Sequence, residues 1–202
     1  MPLKIYGMSS SGNCYKIKLL LEQLGQPYTW EELDIMQGST RTKEFLAMNP
    51  NGKVPTLEIE PGVFLAESNA ILYYIAEHTA FLPSEKLARA QTLQWMFFEQ
   101  YSHEPYIAVA RFICKFLPAD HARRAELPGL LERGNQALGV MEQHLMTRTF
   151  FVDERYSVAD IALFAYTHEA RIGGFDLAAF PAVSRWLDRV TKQPKYFSMT
   201  PR

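Results

Sequence analysis

Cysteine is scarce in this chain: Cys14 and Cys114 are the only two among 202 residues. Two thiols so far apart build no disulfide framework, and a reducing compartment, the cytoplasm, is the expected setting. There is no Cys-x-x-Cys, no His-Glu-x-x-His and no Gly-x-x-x-x-Gly-Lys. The usual signatures of a dithiol centre, a zinc site and a P-loop are therefore missing, and no metal is expected. No apolar run approaches the roughly 18 residues of a membrane helix. The opening Met1-Pro2-Leu3-Lys4-Ile5-Tyr6 lacks the apolar core of a secretory signal. An excess of either charge is also absent. With 21 Lys and Arg against 22 Asp and Glu, the net charge is −1, and neither nucleic acid nor an acidic membrane is the expected partner. What is present is an ordinary globular composition, 48% hydrophobic and 21% charged, in a length that suits one large domain or two small ones.

The grammar of the chain changes midway. Leu3-Lys4-Ile5-Tyr6 reads as a short buried strand. Ile17, Leu20, Leu21 and Leu24 then recur at helical spacing, and Gly25 stops that helix. Tyr28 to Ile35 is strand-prone and runs into a polar loop. Thr42 to Met48 reads as a short helix ended by Asn49-Pro50-Asn51-Gly52. Val54 to Ile59 and Val63 to Leu65 flank the turn Glu60-Pro61-Gly62, a hairpin, and Ile71, Leu72, Ile75 and Ala76 mark a further helix. The expected order is β-α-β-α-β-β-α over residues 1–78. Residues 79–84 read as a linker and 85–202 as helix throughout. Leu87, Ala90, Leu93, Phe97 and Tyr101 share one side of a long helix, whose aromatics are expected mostly in the core. Pro105 predicts a kink near Ser102. Ser157-Val158-Ala159-Asp160 reads as a capping box, and Val183, Trp186, Leu187 and Val190 mark the last amphipathic face.

The candidate site is Ser9-Ser10-Ser11-Gly12-Asn13-Cys14, between the first strand and the first helix. Free backbone N–H groups and the helix dipole favour an anion there. A thiolate is one such anion, and a serine hydroxyl can donate to it. Ser11 and Cys14 have Cys-x-x-Cys spacing with serine in the first position. A site of that kind holds a thiol from elsewhere. Taken alone, the serine run is an ordinary cap and Cys14 a small buried residue.

Four segments alter that balance. Ser11-Gly12-Asn13-Cys14 with Lys16 to Leu21 resembles the serine-type catalytic loop and first helix of the glutathione transferase superfamily. Asn49 to Leu57 resembles its segment ending in a cis-proline. Glu67 to Ile75 resembles its γ-glutamyl-binding turn and helix, and Ser157 to Ala162 its second-domain capping box. They occur in family order over nearly the whole chain. The resemblance implies a thioredoxin-like α/β N-terminal domain followed by an all-α helical domain, with glutathione as co-substrate and a homodimer. It implies that Val54, before a cis Pro55, pairs through its backbone with the cysteinyl moiety, and that Ser68 takes the γ-glutamyl carboxylate and Glu67 the ammonium. Ser11 ranks first and Asn13 second as thiolate partner, with Ser9 and Ser10 behind them.

The sequence departs from the family at two positions. Asn69 stands where many serine-type members carry arginine, and Gly52 where several carry histidine. The glycyl carboxylate then falls to Gln37, Lys53 or Arg41. The resemblance also implies a second-substrate cleft for a hydrophobic electrophile, with Tyr101, Tyr106 and Arg111 as its candidates; His103 reads as structural. The implied activity is attack of the glutathione thiolate on an electrophile. A glutathione-dependent disulfide reductase and a non-catalytic binding module are the rivals.

Overall fold

The structure, a computed structural model, describes residues 2–199. The described residues divide into two compact units, 2–77 with 194–199, and His78–Gln193. The first unit contains β1 (Leu3–Gly7), α1 (Gly12–Leu24), β2 (Tyr28–Glu32), α2 (Lys43–Met48), β3 (Thr56–Glu60), β4 (Val63–Ala66) and α3 (Ser68–Ala76). That is the order read from the sequence. The sheet runs β2-β1-β3-β4. β1 lies parallel to β2 and antiparallel to β3, and β3 and β4 form the hairpin, with an irregularity between Glu58 and Glu60.

Each helix of this unit begins or ends where local chemistry dictates. The Ser11 hydroxyl caps α1 by accepting from Cys14 N–H, and Gly25, at φ 67, ends it in the left-handed conformation. There Gly25 N–H donates to Glu22 C=O and Gln26 N–H to Leu21 C=O, which satisfies carbonyls that α1 leaves open. Thr42 caps α2. The polar loop between β2 and α2 holds two short 3₁₀ turns, Ile35–Gln37 and Ser39–Arg41. α1 is buried almost all round, from Cys14 to Ile17 and from Leu19 to Leu21. Some of that cover is the far end of the chain, where Tyr15 Oη donates to Phe197 C=O at 2.7 Å and the two rings meet edge to face at 5.5 Å.

The second unit is helical: α4 (Lys86–Phe98), α5 (Glu104–Phe116), α6 (Leu127–Leu145), α7 (Val158–Thr167) and α8 (Pro181–Thr191). The long helix expected from Leu87, with a kink near Ser102, is interrupted by a π turn at Glu99–His103, with Pro105 in the first turn of α5. A proline there has no N–H to give. The wide turn absorbs that loss, and His103 is buried beside it with Nε2 2.8 Å from Thr167 Oγ1. The stripe on α4 corrects an expectation. Trp95 and Met96 are in the core, but Leu87, Phe97 and Tyr101 are 64, 68 and 83% exposed. Ala88, Thr92, Trp95 and Met96 form the inward face, so the stripe lies on the opposite side.

The second core is organised around α7, in which every residue is buried. The capping box is present: Asp160 accepts from Ser157 N–H at 2.9 Å, while Ser157 Oγ caps the helix. Asp160 also accepts from Trp186 Nε1 at 2.9 Å and from Phe151 N–H at 3.3 Å. One carboxylate thus ties α7 to α8 and to the preceding loop. Burial pushes this carboxyl up to about 6, against its donors. With a native pKa above the unfolded value of about 3.9, its contribution to stability is largest at pH below that value and falls as pH rises through 6. Asp160→Ala strands four buried donors, the Ser157 hydroxyl among them at 3.2 Å, and should cost about 3 kcal/mol, read by urea unfolding. Asp160→Asn should lose the component of the pH dependence between about 4 and 6.

Candidate functional site

The N-termini of α1 and α3 carry the candidate residues Ser11, Asn13, Glu67 and Ser68. Ser11 is half-buried, and its Oγ accepts from Cys14 N–H at 3.4 Å. Capping uses a lone pair and leaves the hydroxyl proton to be donated. The same serine can therefore cap its helix and donate to an anion. Ser9 cannot do so as readily. Its N–H and hydroxyl both donate to the Glu32 carboxylate, at 2.8 and 2.7 Å. Burial opposes ionisation of Glu32, but Ser9, the Trp30 indole N–H and Lys18 outweigh it and lower the pKa. Cys14 is fully buried, accepts from Met8 N–H, and burial pushes its thiol up to about 11. It is a packed neutral thiol at physiological pH, not a nucleophile.

Asn13 and Ser68 are joined. The Ser68 hydroxyl donates to Asn13 Oδ1 at 3.2 Å and accepts from Lys16 Nζ at the same distance, and Lys16 also donates to Asn69 Oδ1 at 3.4 Å. Lys16 has 0% exposure and Ser68 4%. The Ser68 side chain thus points inward, and its backbone N–H is the group left at the helix start for an anion. Sequence reasoning misses Lys16, because a lysine in a helix is usually solvated. The signal that could find it is its spacing: three residues past Asn13 and four before Leu20, it lies in the core-facing row.

Val54–Pro55 is a cis peptide bond, as the resemblance implies. Among the described residues no hydrogen bond engages Val54 N–H or C=O. The preceding loop is braced by Asn49 Nδ2, which donates to Lys53 C=O at 2.8 Å. Glu67 stands at the start of α3 with φ 67 and ψ 114, a conformation that costs about 1–3 kcal/mol for a residue with a Cβ. Its carboxylate accepts from Asn51 Nδ2 at 3.5 Å, and Asn51 C=O in turn accepts from Arg41 Nη1 at 3.5 Å. Gly52 has a positive φ, and a Cβ there would collide with Arg41 Nη1. The glycine that replaces the family's histidine thus makes room for a guanidinium. Gln37 and Lys53 are exposed on the neighbouring loops.

The three residues expected at a second-substrate cleft lie in the helical unit and do not cluster. Tyr106 lines a pocket of about 550 Å³ with Phe98, Ser102, Arg133, Gln136 and Val140, and its hydroxyl accepts from Arg133 Nη1 at 3.3 Å. Tyr101 projects into solvent. Arg111 is set apart: it is 3% exposed and its Nε donates to Glu169 at 2.8 Å, so its charge is spent inside the unit. Among the described residues no three His, Cys, Asp or Glu side chains are grouped to hold a metal. No helix there is long and apolar enough to cross a membrane.

Residues 1–77 match the family model of the glutathione S-transferase N-terminal domain, and residues 95–194 that of its C-terminal domain. The chain belongs to the glutathione S-transferase family. Family membership accounts for the α/β unit followed by a helical one. A crystal structure of a glutathione S-transferase from Pseudomonas fluorescens is 54% identical, covers 100% of both chains and superposes with a TM-score of 0.95. The disulfide-bond oxidoreductase YfcG of Escherichia coli is 32% identical over 90% of this chain and 87% of its own. A glutathione transferase from Pseudomonas putida, solved with one glutathione disulfide per subunit, is 27% identical, with a TM-score of 0.84 over 96% of this chain and 88% of that one.

The contrast between the two cysteines gives a direct check. In native protein at pH 8, iodoacetamide should modify the half-buried Cys114 and spare Cys14. Mass spectrometry should find one label before denaturation and two after it. Rapid native labelling of Cys14 would contradict its assignment as a packed thiol.

Proposed function

We propose that the chain is a glutathione transferase that stabilises the glutathione thiolate with Ser11 and Asn13 and directs it at a hydrophobic electrophile. The observation that carries this reading is the uncommitted hydroxyl proton of Ser11, half-buried at the N-terminus of α1 and beside the Asn13–Ser68 pair. The first amides of α1, the Ser11 hydroxyl and the Asn13 amide are the groups this reading assigns to the sulfur anion. The same geometry supports a grip on the rest of glutathione. The Val54 N–H and C=O, next to cis Pro55, offer the cysteinyl moiety a strand-like pair of hydrogen bonds. Ser68 N–H receives the γ-glutamyl carboxylate. Glu67, held outward by its positive φ, receives the ammonium. Arg41, Lys53 and Gln37 are the groups for the glycyl carboxylate.

In the reaction, the thiolate attacks an electrophilic carbon, a carbon–sulfur bond forms, and the leaving group departs with the bonding pair or the electrophile's opened bond takes up a proton. Tyr106 and its pocket are the assignment for contact with an apolar substrate in the helical unit, with Tyr101 nearby in sequence. Homodimerisation belongs to the proposal. The exposed apolar stripe of Leu87 and Phe97 on α4 and Tyr101 in the π turn after it is a surface of the helical unit that gains from being covered.

A second reading is disulfide reduction, favoured by the similarity to YfcG and by Asn13 in the loop. The same thiolate would attack a disulfide sulfur, expel one thiol and form a mixed disulfide. A second glutathione would then release the other thiol, leaving glutathione disulfide. Turnover with a panel of aryl halides, epoxides and disulfides separates the two readings; binding without turnover on any of them supports a binding module instead. Ser11→Ala should lower kcat/KM by about 10- to 100-fold and raise the pKa of the bound thiol, followed by thiolate absorbance. An unchanged value, with a loss in Asn13→Ala instead, moves the main role to Asn13. Failure of the wild-type protein to bind immobilised glutathione would overturn the proposal.

A further inference from the structure

Three serines stand in a row at the candidate site, and each hydroxyl is chemically able to donate to a sulfur. The structure separates Ser9 from Ser11, and the separation starts on β2. Glu32, the last residue of that strand, stands in register with Gly7, the last residue of β1. The next amide, Leu33 N–H, donates to Gly7 C=O at 2.7 Å. From there the Glu32 carboxylate reaches Ser9. One oxygen accepts from Ser9 N–H at 2.8 Å and the other from the Ser9 hydroxyl at 2.7 Å. Trp30 Nε1 donates to the second oxygen at 2.6 Å. Short charge-assisted bonds of this kind are stronger than neutral ones.

The grip falls on a tight turn. Ser11 N–H donates to Met8 C=O at 2.9 Å, the hydrogen bond of a four-residue turn in which Ser9 is the second residue. Ser11 then caps α1. The entry to the turn is held as well. The Trp30 indole lies against Gly7, where an added Cβ would come within 2.6 Å of the ring and 3.1 Å of Cys14 Sγ. Lys18 of α1 stands over the same ring, 4.4 Å from its centre. Trp30 is thus packed against β1 and α1 while its N–H goes to Glu32.

The carboxylate also decides a proton. Desolvation opposes its charge, but the Ser9 and Trp30 donors prevail and keep it ionised at neutral pH, so it can only accept. Ser9 has one hydroxyl proton, and Glu32 takes it. Ser11 Oγ accepts from Cys14 N–H and keeps its own. Charge alone argues against a carboxylate here. Burial is the main cause of the raised Cys14 thiol, and the Glu32 charge adds to it. A glutathione thiolate at the start of α1 would meet the same repulsion. What Glu32 can contribute is position.

We propose that Glu32 is a positioning residue for the thiolate: its two-oxygen grip on Ser9 holds the Met8–Ser11 turn and makes Ser11, not Ser9, the donor to the sulfur. This inference rests on the glutathione reading of the site.

The test is the ionised fraction of the bound glutathione thiol at pH 6, followed by thiolate absorbance. It compares the wild-type protein with Glu32→Ala, Glu32→Gln, Ser9→Ala and the Glu32→Ala/Ser9→Ala double variant, with affinity measured separately by calorimetry. Glu32→Ala should lower the fraction about tenfold, or one pKa unit. Glu32→Gln keeps one acceptor oxygen and should fall between the two. Ser9→Ala should lose less than Glu32→Ala, and the double variant should be no worse than Glu32→Ala alone. A carboxylate acting through its charge gives the opposite sign, a fraction that rises in both Glu32 variants. A merely structural role lowers the melting temperature and leaves the fraction unchanged. Either result overturns the proposal. So does a Ser9→Ala loss that repeats in full in the Glu32→Ala background, which would make Ser9 the donor. Should Glu32→Ala fail to fold, the isosteric Glu32→Gln carries the test, and a fraction at or above wild type overturns the proposal equally. If the wild-type protein binds no glutathione, the reading of the site falls and takes this inference with it; if it binds normally and only the variants behave otherwise, the grip alone is wrong.

Discussion

The ammonium of Lys16 sits, fully buried, between the N-termini of two helices and reaches water nowhere. A charge so placed must find acceptors, and it finds them on α3 while its own backbone belongs to α1. The contact therefore fixes where the two helices begin relative to each other. Because the Ser68 hydroxyl donates to Asn13 Oδ1, the contact also reaches the end of the β1–α1 loop. Two helix starts are thereby brought together into the corner that the proposed function assigns to the anion. Ser11 and Asn13 lie on one side of that corner and the first amides of α3 on the other.

Around this corner the backbone departs from its ordinary geometry at Glu67, whose φ of 67 is left-handed for a residue with a side chain. A strained position of this kind persists only where neighbours hold it. Here Asn51 does so, bonded to the Glu67 carboxylate, while Asn49 braces the Lys53 carbonyl beside Val54. Both segments present backbone or carboxylate to the ligand in the proposed complex. The electrostatic division is clear as well. Glu32 accepts from Ser9 and Trp30, which commits the Ser9 hydroxyl away from the proposed anion corner.

The order of elements is legible because it rests on local chemistry. Gly25, Thr42 and the Ser157–Asp160 box do what their residue types predict, and the periodic apolar residues of α3 are those buried in it. On α8, Val183, Trp186 and Val190 face inward as their spacing requires. The candidate site is marked in the sequence by Ser11, Asn13 and Ser68. What the sequence hides is decided by tertiary packing. No local signal marks Lys16 as buried until α3 is laid against it. The stripe on α4 reads as core until Trp95 and Met96 are seen to take the inner face. Arg111 reads as a cleft residue until Glu169, far along the chain, claims it. Nor does any local signal bring the 194–199 tail back onto Tyr15.

The claim that matters most is that one corner, made by the starts of α1 and α3, holds the thiolate of glutathione. A crystal structure of the protein with glutathione tests it directly. The account predicts the sulfur within about 3.5 Å of Ser11 Oγ or Asn13 Nδ2, with the γ-glutamyl carboxylate on Ser68 N–H. Glutathione bound elsewhere, or with its sulfur away from both side chains, would contradict it.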